Sequence, residues 1–387
     1  MFLPYLDSIG KRLIGTRPVP EQVEFRFRAL RDPMVNAFAL PSGSVYVTTG
    51  LLSRLENEAQ LASVLGHETS HVLDRHTYLE NRSMRKKAVA INILQAVAAN
   101  VPAGSSFGAA IALGAAAGAA VTAATVSGYS RETERQADHD GLSLMTSASY
   151  DPRAMARTFE LLDEKLEFEP IEGFYNDHPK LAERRAAALD FASSQKADNL
   201  QLGSERDYLE KVSPAICYNI EADINSRRSR TAVARATRLT KAMPDEPKYQ
   251  VLLADAYRSL GAKTEVPSED ELSRHGQAEH RKEYFGMTEQ EEQKRLLQSP
   301  QGEATLRENL GKAETLYSGV VQRNPSYADA YRGLGFLYEQ QGKYSVAVEE
   351  YRKYLAIVSG TSIDRIRIER RLAAVEKLAS PQAIQSR

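Results

Sequence analysis

LASVLGHETSHVLDRH, residues 61–76, decides how the rest of the chain reads. Leu61, Val64, Leu65, Val72 and Leu73 recur at helical spacing and make an apolar stripe. His67 and His71 fall off that stripe. Being four apart, they stand one turn above each other on one helix face. Two imidazoles so placed can bind one ion, and Zn²⁺ suits them best. Glu68 sits beside them, where a carboxylate can take the proton from an attacking water. The implied chemistry is hydrolysis of a peptide bond. The plain alternative is two surface histidines on an amphipathic helix.

A catalytic zinc site takes three protein ligands and leaves one position open. Val72-Leu73-Asp74-Arg75-His76 follows His71, so no HxxGxxH continuation supplies the third. On a continuing helix His76 would point about 140° away from His71. It is a poor ligand, and a surface position or a supporting role is expected. The better source is SRETERQADHDGL, residues 130–142. Glu134 and Asp138 are four apart on a second predicted helix, so both can face the same site. Glu134 is the expected third ligand. Asp138 is expected to accept a hydrogen bond from a ligating imidazole and fix its tautomer. Such a pair is a common accident of charged helices; its weight comes from the HExxH. Glu132 is the nearest rival and His139 a remoter one.

Four blocks carry a resemblance: Asn36 to Leu52 (NAFALPSGSVYVTTGLL), Leu65 to His76, Gly128 to Leu142, and His178 to Arg185 (HPKLAERR). In order and spacing the chain resembles the zinc metallopeptidases that include the heat-shock protease HtpX, the mitochondrial protease Oma and the CAAX prenyl endopeptidase. Within them it looks most like the periplasmic BepA-type members with a tetratricopeptide tail. The resemblance implies one Zn²⁺ per chain on His67, His71 and Glu134, with Glu68 as general base. It places His178 near the metal, as oxyanion stabiliser or fourth ligand, with Arg184 as a supporting charge. It also implies a periplasmic enzyme of outer-membrane protein quality control, acting on misfolded or stalled proteins. A different class remains as the alternative: an assembly factor or chaperone with a largely latent protease site.

Ser44 to Thr49 is rich in β-branched residues and follows the turn Pro41-Ser42-Gly43. It reads as a strand just before the active-site helix. An open edge at Val45, Tyr46 and Val47 would bind a substrate backbone by strand addition; an ordinary interior strand is the alternative.

The chain of 387 residues is long enough for two domains. The fold class expected is mainly α (α+β): a zincin-like helical peptidase domain with a small β-sheet over 1–195, then an α-solenoid tetratricopeptide domain over 196–387. The formal net charge of −1 gives no support to nucleic-acid binding. The single Cys217 excludes an internal disulfide. The opening residues MFLPYLDSIGKRLI lack the pattern of an export signal.

Phe107 to Val126 carries no charge but is mostly Ala and Gly, which insert weakly into lipid. With Ala88 to Ala99 it reads as a tight helical hairpin, buried or serving as a lid, with reversible membrane contact as the second reading. In the tail, Ala328 to Tyr338 and then Gly342 to Tyr354 have the small-and-aromatic spacing of a tetratricopeptide helix pair. Ala313, Tyr317 and Val320 mark the helix before it. Leu253, Ala254 and Tyr257, and Ala232, Ala236 and Leu239, mark earlier ones. A charged insertion at about 263–303 breaks the register; His275 and His280 within it read as a solvated face. Such arrays bind protein partners on a concave surface.

Overall fold

The computed structural model describes residues 3–15, 17–76, 79, 130–163, 181–195, 200–261 and 300–380. His178, the apolar stretches at 88–99 and 107–126, and the insertion up to residue 299 lie outside them. No helix among the described residues is long and apolar enough to cross a membrane. The described residues are mainly α with one small sheet. It forms two compact units that divide between Val212 and Ser213.

In the first unit, α1 (Leu3–Ile14) buries Leu6, Ile9 and Leu13. The strands β1 (Arg26–Leu30), β2 (Ala37–Ala39) and β3 (Ser44–Thr48) follow. Their order in the sheet is β1-β3-β2, with β3 parallel to β1 and antiparallel to β2. This corrects the expectation of an open edge at Val45, Tyr46 and Val47. All three are paired on both sides, with Phe27, Arg28 and Ala29 on β1 and with Ala39, Phe38 and Ala37 on β2. Their backbone groups are therefore not available to a further strand. Val45 and Val47 point into the core, while Tyr46 stacks on Phe38 with ring centroids 5.2 Å apart.

Thr48 ends β3 and caps α2 (Thr49–Arg54), accepting from the Leu51 N–H. Asn57 caps α3 (Glu58–Leu73) by accepting from the Gln60 N–H at 3.0 Å. The Gln60 side chain reaches back to accept from the Glu56 N–H at 2.6 Å. These caps set where the HExxH helix begins. From Ala59 to Val72 every residue of α3 is buried, on all faces. The expected apolar stripe is thus one side of a central helix. Around α3 pack α1, β2, α4 (Arg131–Ser147) and α5 (Arg153–Asp163). Helix α6 (Leu181–Ser194) packs on α5 and α4.

Helix α7 (Glu205–Asn225) runs through the division between the units. The second unit continues with α8 (Ser229–Ala242), α9 (Pro247–Leu260), α10 (Pro300–Arg323), α11 (Ala328–Gln340), α12 (Tyr344–Ile357) and α13 (Ile363–Ala379). Successive helices pack pairwise, as helical repeats do. The residues singled out by spacing fill the joints: Ala254, Ala313, Tyr317 and Val320 share one buried cluster, and Ala347, Tyr351 and Tyr354 another.

Candidate metal centre

Helix α3 presents His67 and His71 on one face, and α4 brings Glu134 against them. His67 Nε2 lies 3.1 Å from His71 Nε2. Glu134 Oε2 is 3.6 Å from His67 Nε2, and its Oε1 is 3.3 Å from His71 Nε2. Three ligands at the zinc bond lengths of about 2.0–2.1 Å in a tetrahedron stand about 3.4 Å apart. The observed separations bracket that value. The donor set also fits zinc chemically: two imidazoles and one carboxylate, with a fourth position left over. Among the described residues these three form the one His/Cys/Asp/Glu group able to hold a metal ion. Glu68 is buried next to His67 on the same helix. Glu132 and His139, the alternatives on α4, are exposed.

Each imidazole is oriented from behind. His67 Nδ1 lies 2.9 Å from Asp138 Oδ1, one turn along α4 from Glu134. Donation of its Nδ1–H to that carboxylate leaves Nε2 with the lone pair a metal needs. Arg184, on α6, grips Asp138 with Nε and Nη2, both at 2.7 Å. Its Nη1 lies 3.0 Å from Glu134 Oε2, and its guanidinium stacks 4.5 Å over the Phe159 ring. The charge that the resemblance offers to an oxyanion is thus engaged with Asp138 and Glu134, and Arg184 braces the carboxylates. Burial alone would push the Asp138 carboxyl up; the Arg184 guanidinium and the His67 hydrogen bond outweigh it and hold Asp138 below the usual carboxylate range. Burial likewise works against the Arg184 charge, and Asp138 and Glu134 more than restore it.

Two features go beyond the spacing of the sequence, which leaves His76 either at the surface or in a supporting role. His76 is buried, not at the surface, and its Nδ1 lies 3.0 Å from His71 Nδ1. Helix α3 ends at Leu73, so His76 does not follow the geometry of a continuing helix. Arg17 spans Asp74, at the end of α3, and Asp140 on α4, at 3.2 and 3.5 Å. Neither the turn that returns His76 nor this long-range clasp leaves a periodic signal.

A zinc-type donor set on an HExxH helix, in a helical domain followed by helical repeats, defines the class of a metallopeptidase with a helical-repeat tail. Residues 3–192 match Peptidase family M48, and residues 307–360 match a tetratricopeptide repeat. The first half of the chain is therefore a family M48 peptidase domain. The chain is 31% identical over 159 residues to the mitochondrial metalloendopeptidase OMA1 of Schizosaccharomyces pombe, covering 41% of this chain and 43% of that protein. It is 29% identical over 216 residues to the beta-barrel assembly-enhancing protease of Escherichia coli K12, covering 56% and 44%. With the putative beta-barrel assembly-enhancing protease of Vibrio cholerae it shares 30% over 173 residues, covering 42% and 33%. Each match spans less than half of the relative's length.

Proposed function

We propose that the chain is a zinc-dependent metalloendopeptidase that hydrolyses peptide bonds of misfolded or stalled proteins. The observation that carries this reading is the convergence of His67, His71 and Glu134 at zinc-ligand separations, with Glu68 beside them. When bound, zinc would polarise the scissile carbonyl and acidify the attacking water. Glu68 takes the proton from that water and returns it to the leaving amine. Asp138 holds the His67 tautomer, and Arg184 holds Asp138 and Glu134 in place. By resemblance, His178 steadies the tetrahedral oxyanion. The repeats would present clients or partner proteins. By resemblance the chain would act in the periplasm, in outer-membrane protein quality control; the Escherichia coli and Vibrio cholerae relatives are named beta-barrel assembly-enhancing proteases, which supports the quality-control part of that reading.

A second reading, an assembly factor with a latent site, rests on the resemblance; burial of His67, Glu68, His71 and Glu134 is compatible with both. His178 as a fourth ligand would produce such latency.

Cleavage of an unfolded protein by wild type, Glu68→Gln and His178→Ala separates these. Glu68→Gln keeps one zinc per chain and loses cleavage by about 100-fold or more; persistent cleavage would remove Glu68 from the role of base. Higher activity in His178→Ala supports the latent site, and abolished activity supports the oxyanion role.

A further inference from the structure

Of the two places the sequence leaves open for His76, at the surface or in support of the site, the structure shows the buried one. After Leu73 the chain leaves the helix: the Asp74 N–H bonds to Ser70 O at 2.9 Å and the Arg75 N–H to Val72 O at 3.1 Å. Arg75 then adopts φ 55°, a left-handed conformation that a non-glycine residue holds only where its surroundings demand it. That turn folds His76 back into the protein. Its ring packs edge-on against His71, with centroids 5.1 Å apart and planes at 75°.

The two Nδ1 atoms are 3.0 Å apart, so one carries a proton and the other accepts it. His71 Nε2 faces His67 and Glu134 and must keep its lone pair free to bind an ion. The proton therefore sits on His71 Nδ1, and His76 Nδ1 accepts. We propose that His76 is a positioning residue of the metal site, selecting the His71 tautomer as Asp138 selects that of His67.

Charge explains why the two supports differ. Among the described residues, Glu68, Glu134 and Asp138 are three carboxylates in one buried site, against the Arg184 guanidinium. A divalent ion brings the sum of these charges to zero. A carboxylate behind His71 would leave an uncompensated buried charge, which is costly. A neutral imidazole supplies the acceptor without one.

The inference rests on the metal-site reading, and its test keeps the two apart. Asn and Leu are nearly equal in size, but Asn offers an amide oxygen about where His76 Nδ1 stands. Zinc affinity is measured by chelator competition for wild type, His76→Asn and His76→Leu, with the visible spectrum of the cobalt-loaded proteins. His76→Leu is expected to weaken zinc binding about 10- to 100-fold and alter the cobalt spectrum, and His76→Asn to recover most of both. Equal losses in the two variants, or none in either, would overturn the assignment of His76 while leaving the metal site standing. A wild type that takes up no metal overturns both. Independently of how the variants fold, nitrogen NMR of the wild-type imidazoles should place a proton on His71 Nδ1 and none on His76 Nδ1; the reverse would sink the proposal.

Discussion

Gly66 on α3 and Gly141 on α4 meet backbone to backbone: a Cβ on Gly141 would stand 3.0 Å from the His67 backbone nitrogen and 3.2 Å from the Gly66 carbonyl carbon. This contact lets the helix with both imidazoles approach the helix with Glu134 closely enough for their side chains to share an ion. Gly141→Val would push the helices apart at a point where only backbone lies opposite. Overpacking of this kind costs about 1–3 kcal/mol. Urea unfolding should show that loss, and zinc affinity should fall with it, because Glu134 moves with its helix.

Arg184 is buried between two carboxylates, so its removal leaves charge without a counter-charge. Arg184→Met is expected to destabilise the metal-free protein by about 3–5 kcal/mol. Arg184→Lys should restore only part, because an ammonium cannot reproduce the bidentate grip on Asp138. Urea midpoints of the metal-free variants test this; equal stability of wild type and Arg184→Met would remove the bracing role.

Binding of an ion to the folded state alone must stabilise it. At zinc a thousandfold above its dissociation constant the gain is about 4 kcal/mol. Thermal unfolding with and without zinc measures it. His71→Ala should abolish the zinc-dependent shift; a shift of undiminished size in that variant would place the ion elsewhere.

The clasp of Asp74, Asp140 and Arg17 makes stability depend on pH. Burial and the facing Asp140 carboxylate push Asp74 up to about 6, against the pull of Arg17. Burial also acts to raise Asp140, but Asp74, His139 and Arg17 together hold it below the ordinary range. Between the ordinary value of 3.8 and about 6 the folded chain keeps a proton on Asp74 that the unfolded chain has lost. The Asp74 contribution to stability therefore falls as pH rises through that window and is flat above it. Asp74→Asn, which keeps a neutral donor facing Asp140, should flatten this dependence and unfold at higher urea than wild type at pH 7.5. An unchanged pH profile would show that Asp74 titrates normally.

In the repeat unit, Gly333 and Gly335 on α11 lie against the rings of Tyr317 and Tyr351. Hydrogen bonds pin both rings, Tyr317 to Asp255 at 2.6 Å and Tyr351 to Glu339 at 2.7 Å, so neither can swing aside. Gly335→Ala gains about 1 kcal/mol of helix propensity but overpacks the joint by about 1–3 kcal/mol. A net loss of stability with unchanged zinc affinity is expected. A more stable variant would mean that the ring contact is loose.

The candidate site was legible where it depends on spacing along one helix. His67 with His71, and Glu134 with Asp138, are each set by the rise and turn of the α-helix, so the residues that meet could be named from four-residue separations. The repeat helices were legible for the same reason: small residues at the joints and aromatics between them recur with the helix period. What Arg184 does was not legible. Its block resembles a known motif, but its partners, Asp138 and Glu134, lie 46 and 50 residues away in sequence, and only the packing of α6 brings them within reach.

The chain alone thus determined its helices, the four-residue spacing of its candidate donor residues and its repeat tail, because periodicity is a local property of the backbone. Tertiary structure decided that β3 lies between β1 and β2, that α3 is covered on every face, and that His76 turns back onto His71. Strand order, helix approach at Gly66 and Gly141, and the left-handed turn at Arg75 follow from contacts between distant segments, and such contacts leave no period to read.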